Sequence, residues 1–324
     1  MISIPEECLI RNYPNMLWKQ LLVPTFTGKG KLRGHHQLMY TDWGNPGNEH
    51  VVVCVHGLTR NSRDFDFLAA ALEADFRVIC IDMVGRGRSD WLEVAEDYNS
   101  PLVYLSDVEH VLKHIHSQYD THIQLYWVGV SMGGLIGMLL AARRRLPVTF
   151  RALVMSDIGP FIPVKVLMRF AIYVGQDPRF NSLDELESYM RNISVSFGRL
   201  TDAQWRHLAV YSMREYADGT VGFRYDPDIS VSFRSDIIKD INLWAQWDKL
   251  DLPTLVLRGE KSDILPPEIA DQMKLRGPKA HIVELPGIGH APMLVGDEQI
   301  HLVRNFLLKF KSLMRGREFS AREN

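Results

Sequence analysis

The run Val51-Val52-Val53-Cys54-Val55 constrains the fold more than any other feature of the chain. It has no polar face and ends abruptly at His56-Gly57. A strand built from it must be covered on both sides. The same device recurs at residues 77–81, 123–128, 152–155, 254–257 and 281–285. Between these runs lie segments of helical length and pattern, at 65–73, 103–116, 131–145, 267–275 and 299–313. Buried strands alternating with helices predict an α/β fold with a mainly parallel sheet flanked by helices. Ligands of such sheets bind at the carboxyl ends of the strands. The glycine-bearing and polar turns of this chain fall at those ends.

One stretch interrupts the alternation. Residues 160–250 hold aromatic residues and helical patterns but no buried strand. Val166, Leu167, Phe170, Tyr173 and Val174 follow helical spacing, and 183–190 and 203–211 read as two further helices. The expected organisation is a core formed by 1–159 and 251–324, with a helical cap inserted at 160–250. Residues 1–30 carry Pro5, Pro14 and Pro24 and read as a lead-in segment lying on the core.

Composition removes several classes of function. The 37 basic and 39 acidic residues give a net charge of −2, against a dedicated nucleic-acid binder. A hydrophobic content of 46% excludes a disordered acidic chain. The three cysteines, Cys8, Cys54 and Cys80, form no disulfide framework and fit a reducing compartment. Residues 1–10 hold Glu6 and Glu7 and no signal-like apolar run, and no stretch reaches the ~18 apolar residues of a membrane span. The expectation is a cytoplasmic protein without integral membrane association. The oligomeric state is not encoded in any feature of this kind.

Gly129-Val130-Ser131-Met132-Gly133 matches G-x-S-x-G, directly after a buried strand and at the start of a helix. A tight turn of this kind lifts a serine hydroxyl clear of the backbone, and its neighbours must be small. A hydroxyl becomes a useful nucleophile only beside a base. Of the 12 histidines, His290 sits in a loop after the last buried strand and is the expected general base and acid. His56 instead leads the Gly57 turn. Asp263, in the loop after the 254–257 strand, is the expected carboxylate partner of His290. Asp157 competes, because it too follows a strand; Glu260 ranks third. The oxyanion of an acyl-transfer intermediate needs two N–H donors. They are assigned to the amides of Met132 and Leu58. No His, Cys or carboxylate set has metal-ligand spacing, so neither a metal nor an organic cofactor is expected.

Other polar positions receive structural readings. Residues 82–90 resemble part of a nucleotide loop but lack G-x-G-x-x-G and any G-K-[ST] ending, so they read as a turn beside the site. Arg60 and Arg63 follow the Leu58 loop and read as solvated, with recognition of an acidic substrate group as the competing role. Trp91, Trp205, Trp244 and Trp247 either line a pocket or pack the cap.

Taken together, His56-Gly57, the 82–90 loop, the 129–134 elbow, Asp263 and Gly289-His290 resemble the α/β-hydrolase superfamily over nearly the whole chain. Within it the chain is similar to small bacterial serine esterases and lactonases with a Gly-x-Ser-Met-Gly-Gly elbow. The resemblance implies ester cleavage through an acyl-enzyme, on a small to medium, partly apolar small-molecule ester. Acyl transfer, carbon–carbon hydrolysis with the same residues, or a receptor-like ligand-binding role with vestigial turnover remain as alternatives.

Overall fold

The computed structural model describes residues 13–27, 29–143, 146, 148–234 and 238–322, with side chains described to residue 312. The expectations for residues 1–10, Cys8 included, lie outside the described residues. In chain order the first half comprises β1 (Leu17–Phe26), β2 (Leu32–Trp43), β3 (His50–Val55), α1 (Asp66–Leu72), β4 (Arg77–Asp82), α2 (Pro101–His116), β5 (Gln124–Val130), α3 (Met132–Ala141) and β6 (Thr149–Ser156). Then come β7 (Phe161–Ile162), α4 (Val164–Tyr173), α5 (Leu183–Ile193), α6 (Asp202–Ser212), β8 (Met213–Glu215), β9 (Val221–Phe223), β10 (Ile241–Asn242) and α7 (Trp244–Trp247). The chain closes with β11 (Thr254–Gly259), α8 (Pro267–Leu275), β12 (His281–Leu285) and α9 (Asp297–Arg322).

Eight strands form one sheet in the order β1-β2-β4-β3-β5-β6-β11-β12. From β4 to β12 every pairing is parallel, as the buried apolar runs require. Alternate side chains enter opposite cores. Val51, Val53 and Val55 of β3, with Trp127 of β5, pack among α2 and α3 residues such as Val108, Leu112 and Ile136. Val52 and Cys54, with Tyr126, pack against Leu68 of α1 and Val303 and Leu307 of α9. Cys54 and Cys80 are buried register partners and both are free thiols.

The lead-in expectation is corrected in part. β1 and β2 belong to the sheet, with β2 antiparallel to β4. Their signal is weak because β1 is an edge strand, half exposed, and there a proline such as Pro24 is tolerated. α9 also runs beyond the expected end at residue 313.

The sheet order reverses at β3. The chain goes from β3 to β4 on one side, then crosses to β5 on the other. The carboxyl ends of β3 and β5 therefore lie side by side, where a parallel sheet opens a crevice. Residues 160–250 join β6 to its neighbour β11 and, among the described residues, add no strand to this sheet. They hold two short ribbons, β8–β9 and β7–β10, besides their helices. The β7–β10 ribbon pairs Ile162 with Ile241 and draws the two ends of the segment together. Beyond it, Trp247 is fully buried and packs in the main core. No helix of the described residues is long and apolar enough to cross a membrane.

Candidate active site

The turn from β5 into α3 holds Ser131 at φ 49°, ψ −112°. Two glycines make this turn possible. A Cβ on Gly129 would stand 2.2 Å from Gly133 C, and one on Gly133 would stand 1.9 Å from Val55 O. Neither contact can exist, so only glycine lets the elbow close and α3 dock against β3. Trp127 Nε1 donates to Gly133 O at 2.9 Å and fixes the first helical turn.

The loop after β12 brings His290 to this serine. His290 Nε2 lies 3.0 Å from Ser131 Oγ. Its Nδ1 lies 2.8 Å from Oδ2 of Asp157, which follows β6. Asp157 is fully buried, and its charge is met by further donors. The Gly259 amide donates to Oδ1 at 2.8 Å, and the Ser262 hydroxyl donates to Oδ2 at 2.6 Å. The carboxylate thus accepts the Nδ1 proton, which leaves Nε2 free to accept one from the serine.

Here the sequence expectation is corrected. Asp263 does not reach His290. Its side chain is 53% exposed and pairs with Arg169 of α4 at 2.7 Å. The reason lies one residue earlier. The Ser262 hydroxyl turns inward to Asp157 and accepts the amides of Ile264 and Leu265 at 3.2 and 3.0 Å. The turn is wound around Ser262, and Asp263 is left half exposed on the cavity wall, paired with Arg169 and away from His290. Asp157, the competing carboxylate, occupies the position. Glu260 is turned away and accepts the Gly287 amide at 2.7 Å.

The loop after β3 reaches the same crevice. Met83 N–H donates to His56 Nε2 at 3.0 Å, so His56 carries its proton on Nδ1 and donates it to Gly57 O at 2.7 Å. Burial pushes the His56 pKa down to about 3, which keeps the ring neutral. Gly57 O also accepts the Arg60 amide at 3.2 Å. A peptide unit is planar and trans, so fixing this carbonyl fixes the Leu58 N–H on its opposite edge. Arg86, fully buried, holds the next carbonyl: its Nε donates to Leu58 O at 2.8 Å. Sequence reasoning missed Arg86 and Ser262, whose roles depend on contacts between distant loops. Met132 opens α3, and its amide is among the unsatisfied donors of a helix start.

Of these groups Gly57, Leu58, Ser131 and His290 line a cavity of about 790 Å³. Its walls come largely from the 160–250 segment, including Phe170, Tyr173, Tyr189, Met190, Phe197, Phe223 and Tyr225. None of Trp91, Trp205, Trp244 and Trp247 lines it. The solvated reading of the two arginines is also corrected. Arg63 is buried against Asp66 at 2.5 Å and lies 3.7 Å from the Tyr211 ring centre. Arg60 is mostly covered and lines the cavity. The 82–90 loop is the structural turn expected: Asp82 accepts the Ser62 and Arg88 amides at 2.7 and 2.8 Å. Among the described residues no cluster of His, Cys and carboxylates could hold a metal.

The alpha/beta hydrolase family model matches residues 52–301. This chain belongs to that family. It is 40% identical over 281 residues to the 3-hydroxybutyrate-oligomer hydrolase of Cupriavidus necator, covering 84% of this chain and 93% of that one. It is 24% identical over 274 residues to a pimeloyl-[acyl-carrier protein] methyl ester esterase of Neisseria meningitidis, covering 79% and 76%. Among solved structures, an alpha/beta hydrolase from Novosphingobium aromaticivorans superimposes with a TM-score of 0.76 at 32% identity, covering 91% and 99%.

Proposed function

We propose that this chain is a serine hydrolase that cleaves carboxylic esters, with short oligoesters of hydroxyacids as its substrate class. The observation that carries the reading is the continuous hydrogen-bonded line from Ser131 Oγ through His290 to the buried Asp157. In the proposed cycle Ser131 attacks the acyl carbonyl while His290 takes its proton. The Leu58 and Met132 amides receive the oxyanion, and Asp157 stabilises the imidazolium. His290 then protonates the departing alcohol, and water hydrolyses the acyl-enzyme by the reverse use of the same groups. Asp157 takes the role expected of Asp263.

The substrate class rests on two supports. The relative from Cupriavidus necator is a hydrolase of 3-hydroxybutyrate oligomers. The cavity, about 790 Å³ with aromatic walls, has room for more than one short ester unit.

Fluorophosphonate labelling and cleavage of 3-hydroxybutyrate dimer and trimer test the reading together. Wild-type protein should label rapidly and release monomer. Ser131→Ala should do neither, and His290→Ala should label at least about 100-fold more slowly. Labelling without oligomer cleavage rejects the substrate class alone. Absence of labelling in wild type rejects the mechanism.

A further inference from the structure

Arg60 is a charged cavity-lining group that the cycle above leaves unused. A Cβ on Gly57 would lie 3.8 Å from Arg60 Cγ and 3.9 Å from Ser131 Cβ. The arginine and the serine thus flank the same glycine, the residue before Leu58. The guanidinium is held in place rather than solvated, with its side chain 13% exposed. Nε donates to Asp64 Oδ2 at 2.8 Å and Nη2 to Asp64 Oδ1 at 2.5 Å. Nη1 donates to Ser212 Oγ, at the end of α6, at 3.0 Å.

A guanidinium has five N–H donors in a rigid fork. Among the hydrogen bonds of the described residues, Arg60 uses one from each nitrogen. One Nη1–H and one Nη2–H are left uncommitted on a residue of the cavity wall, where aromatic side chains alternate with polar ones. Asp64 offsets the charge, so the pair offers donors with little net charge. That chemistry suits an uncharged oxygen better than a free carboxylate, which Asp64 would repel.

We propose that Arg60 reads a second oxygen on the acyl part of the substrate, the hydroxyl or ester oxygen of a 3-hydroxyacyl unit. It thereby selects hydroxyacyl esters over plain acyl esters. A plain acyl chain would cover these N–H groups without pairing them, and unpaired buried donors are what let a site reject an analogue lacking one oxygen. The inference rests on the ester-hydrolase reading of Ser131 and adds the acyl group that the site prefers.

The test compares kcat/KM for para-nitrophenyl 3-hydroxybutyrate and para-nitrophenyl butyrate. Wild type should favour the hydroxy ester by at least about tenfold. In Arg60→Met the ratio should fall close to one, with Arg60→Lys between. Arg60→Met leaves Asp64 buried without its partner, so an Arg60→Met, Asp64→Asn double variant is measured beside it. The ratio is taken on one protein sample, so loss of folded enzyme cancels. Equal rates on both esters in wild type, or a ratio that survives in the double variant, would overturn the proposal. Cleavage of neither ester by wild type would overturn the ester-hydrolase reading itself, and the role of Arg60 with it.

Discussion

Asp157 stands at the tip of β6 in a left-handed conformation, φ 52°, which aspartate tolerates better than most residues. Its strand lies next to the strand of Ser131, whereas Asp263 starts one strand further away. A carboxylate beside β5 reaches His290 without a long loop, and burial away from water strengthens its hold on the imidazole. Asp157→Asn should therefore lower kcat by about 10⁴-fold, because the imidazole loses the proton placement it needs. Asp263→Asn should change kcat by less than about threefold, since it removes only an exposed ion pair with Arg169. Steady-state kinetics of the two variants decide between them, and a large loss in Asp263→Asn alone would reverse the assignment. The sequence carried Ser131 and His290 clearly because each has a local signature. The carboxylate that meets His290 had none: three acids follow two strands, and the choice is made by Ser262, an ordinary residue until its turn is folded.

At the scale of elements, the buried strands β3, β4, β5, β6 and β11 were legible, because apolar runs cannot be placed elsewhere; β12 was legible too, yet it is the sheet's other edge, with His281 and Glu284 exposed. β1 and β2 were not, because an edge hairpin keeps one side in water and dilutes the pattern. The two loops after β3 and β4 are joined through His56, which donates to one and accepts from the other. This joint has a pH signature. The folded pKa, about 3, lies below the ordinary 6.5, so the unfolded chain binds the proton first. The stabilisation is therefore complete above 6.5 and is lost as pH falls from there toward 3. The slope is up to about 1.4 kcal/mol per pH unit. Urea unfolding of wild type and His56→Gln between pH 7 and pH 5 measures it. The variant should be less stable at pH 7 and show the shallower decline; parallel slopes would remove His56 from the account.

On the scale of the whole molecule, the 160–250 segment is joined to the core at more than its two ends. Residues 224–226 run along residues 85–87: Gly87 N–H donates to Arg224 O at 3.1 Å, and Asp226 N–H to Gly85 O at 2.8 Å. Tyr98 completes the seam, its hydroxyl donating to Asp226 Oδ2 at 2.7 Å while accepting the Leu92 amide at 2.8 Å. Burial raises the pKa of both Tyr98 and Asp226. Tyr98→Phe leaves the Leu92 amide without its acceptor and Asp226 with one donor fewer. It should cost about 1–3 kcal/mol and speed limited proteolysis within residues 163–240. Unchanged melting and cleavage would show that the seam holds without it. The seam was not legible in advance, because the partners across it are more than a hundred residues apart.

One further tie crosses from the segment to the site. Ser196 accepts the Gly289 amide on its carbonyl at 2.8 Å, and its hydroxyl donates to the carbonyl of His290. The roof of the chamber and the loop bearing the base are thus stitched at adjoining residues. Lifting that roof from the floor would strip the His290 loop of two bonds at once. An aperture wide enough to admit bulky material would by the same displacement slacken the machinery inside. Displacing Ser196 to widen the cavity on this side and keeping the imidazole in register thus work against each other.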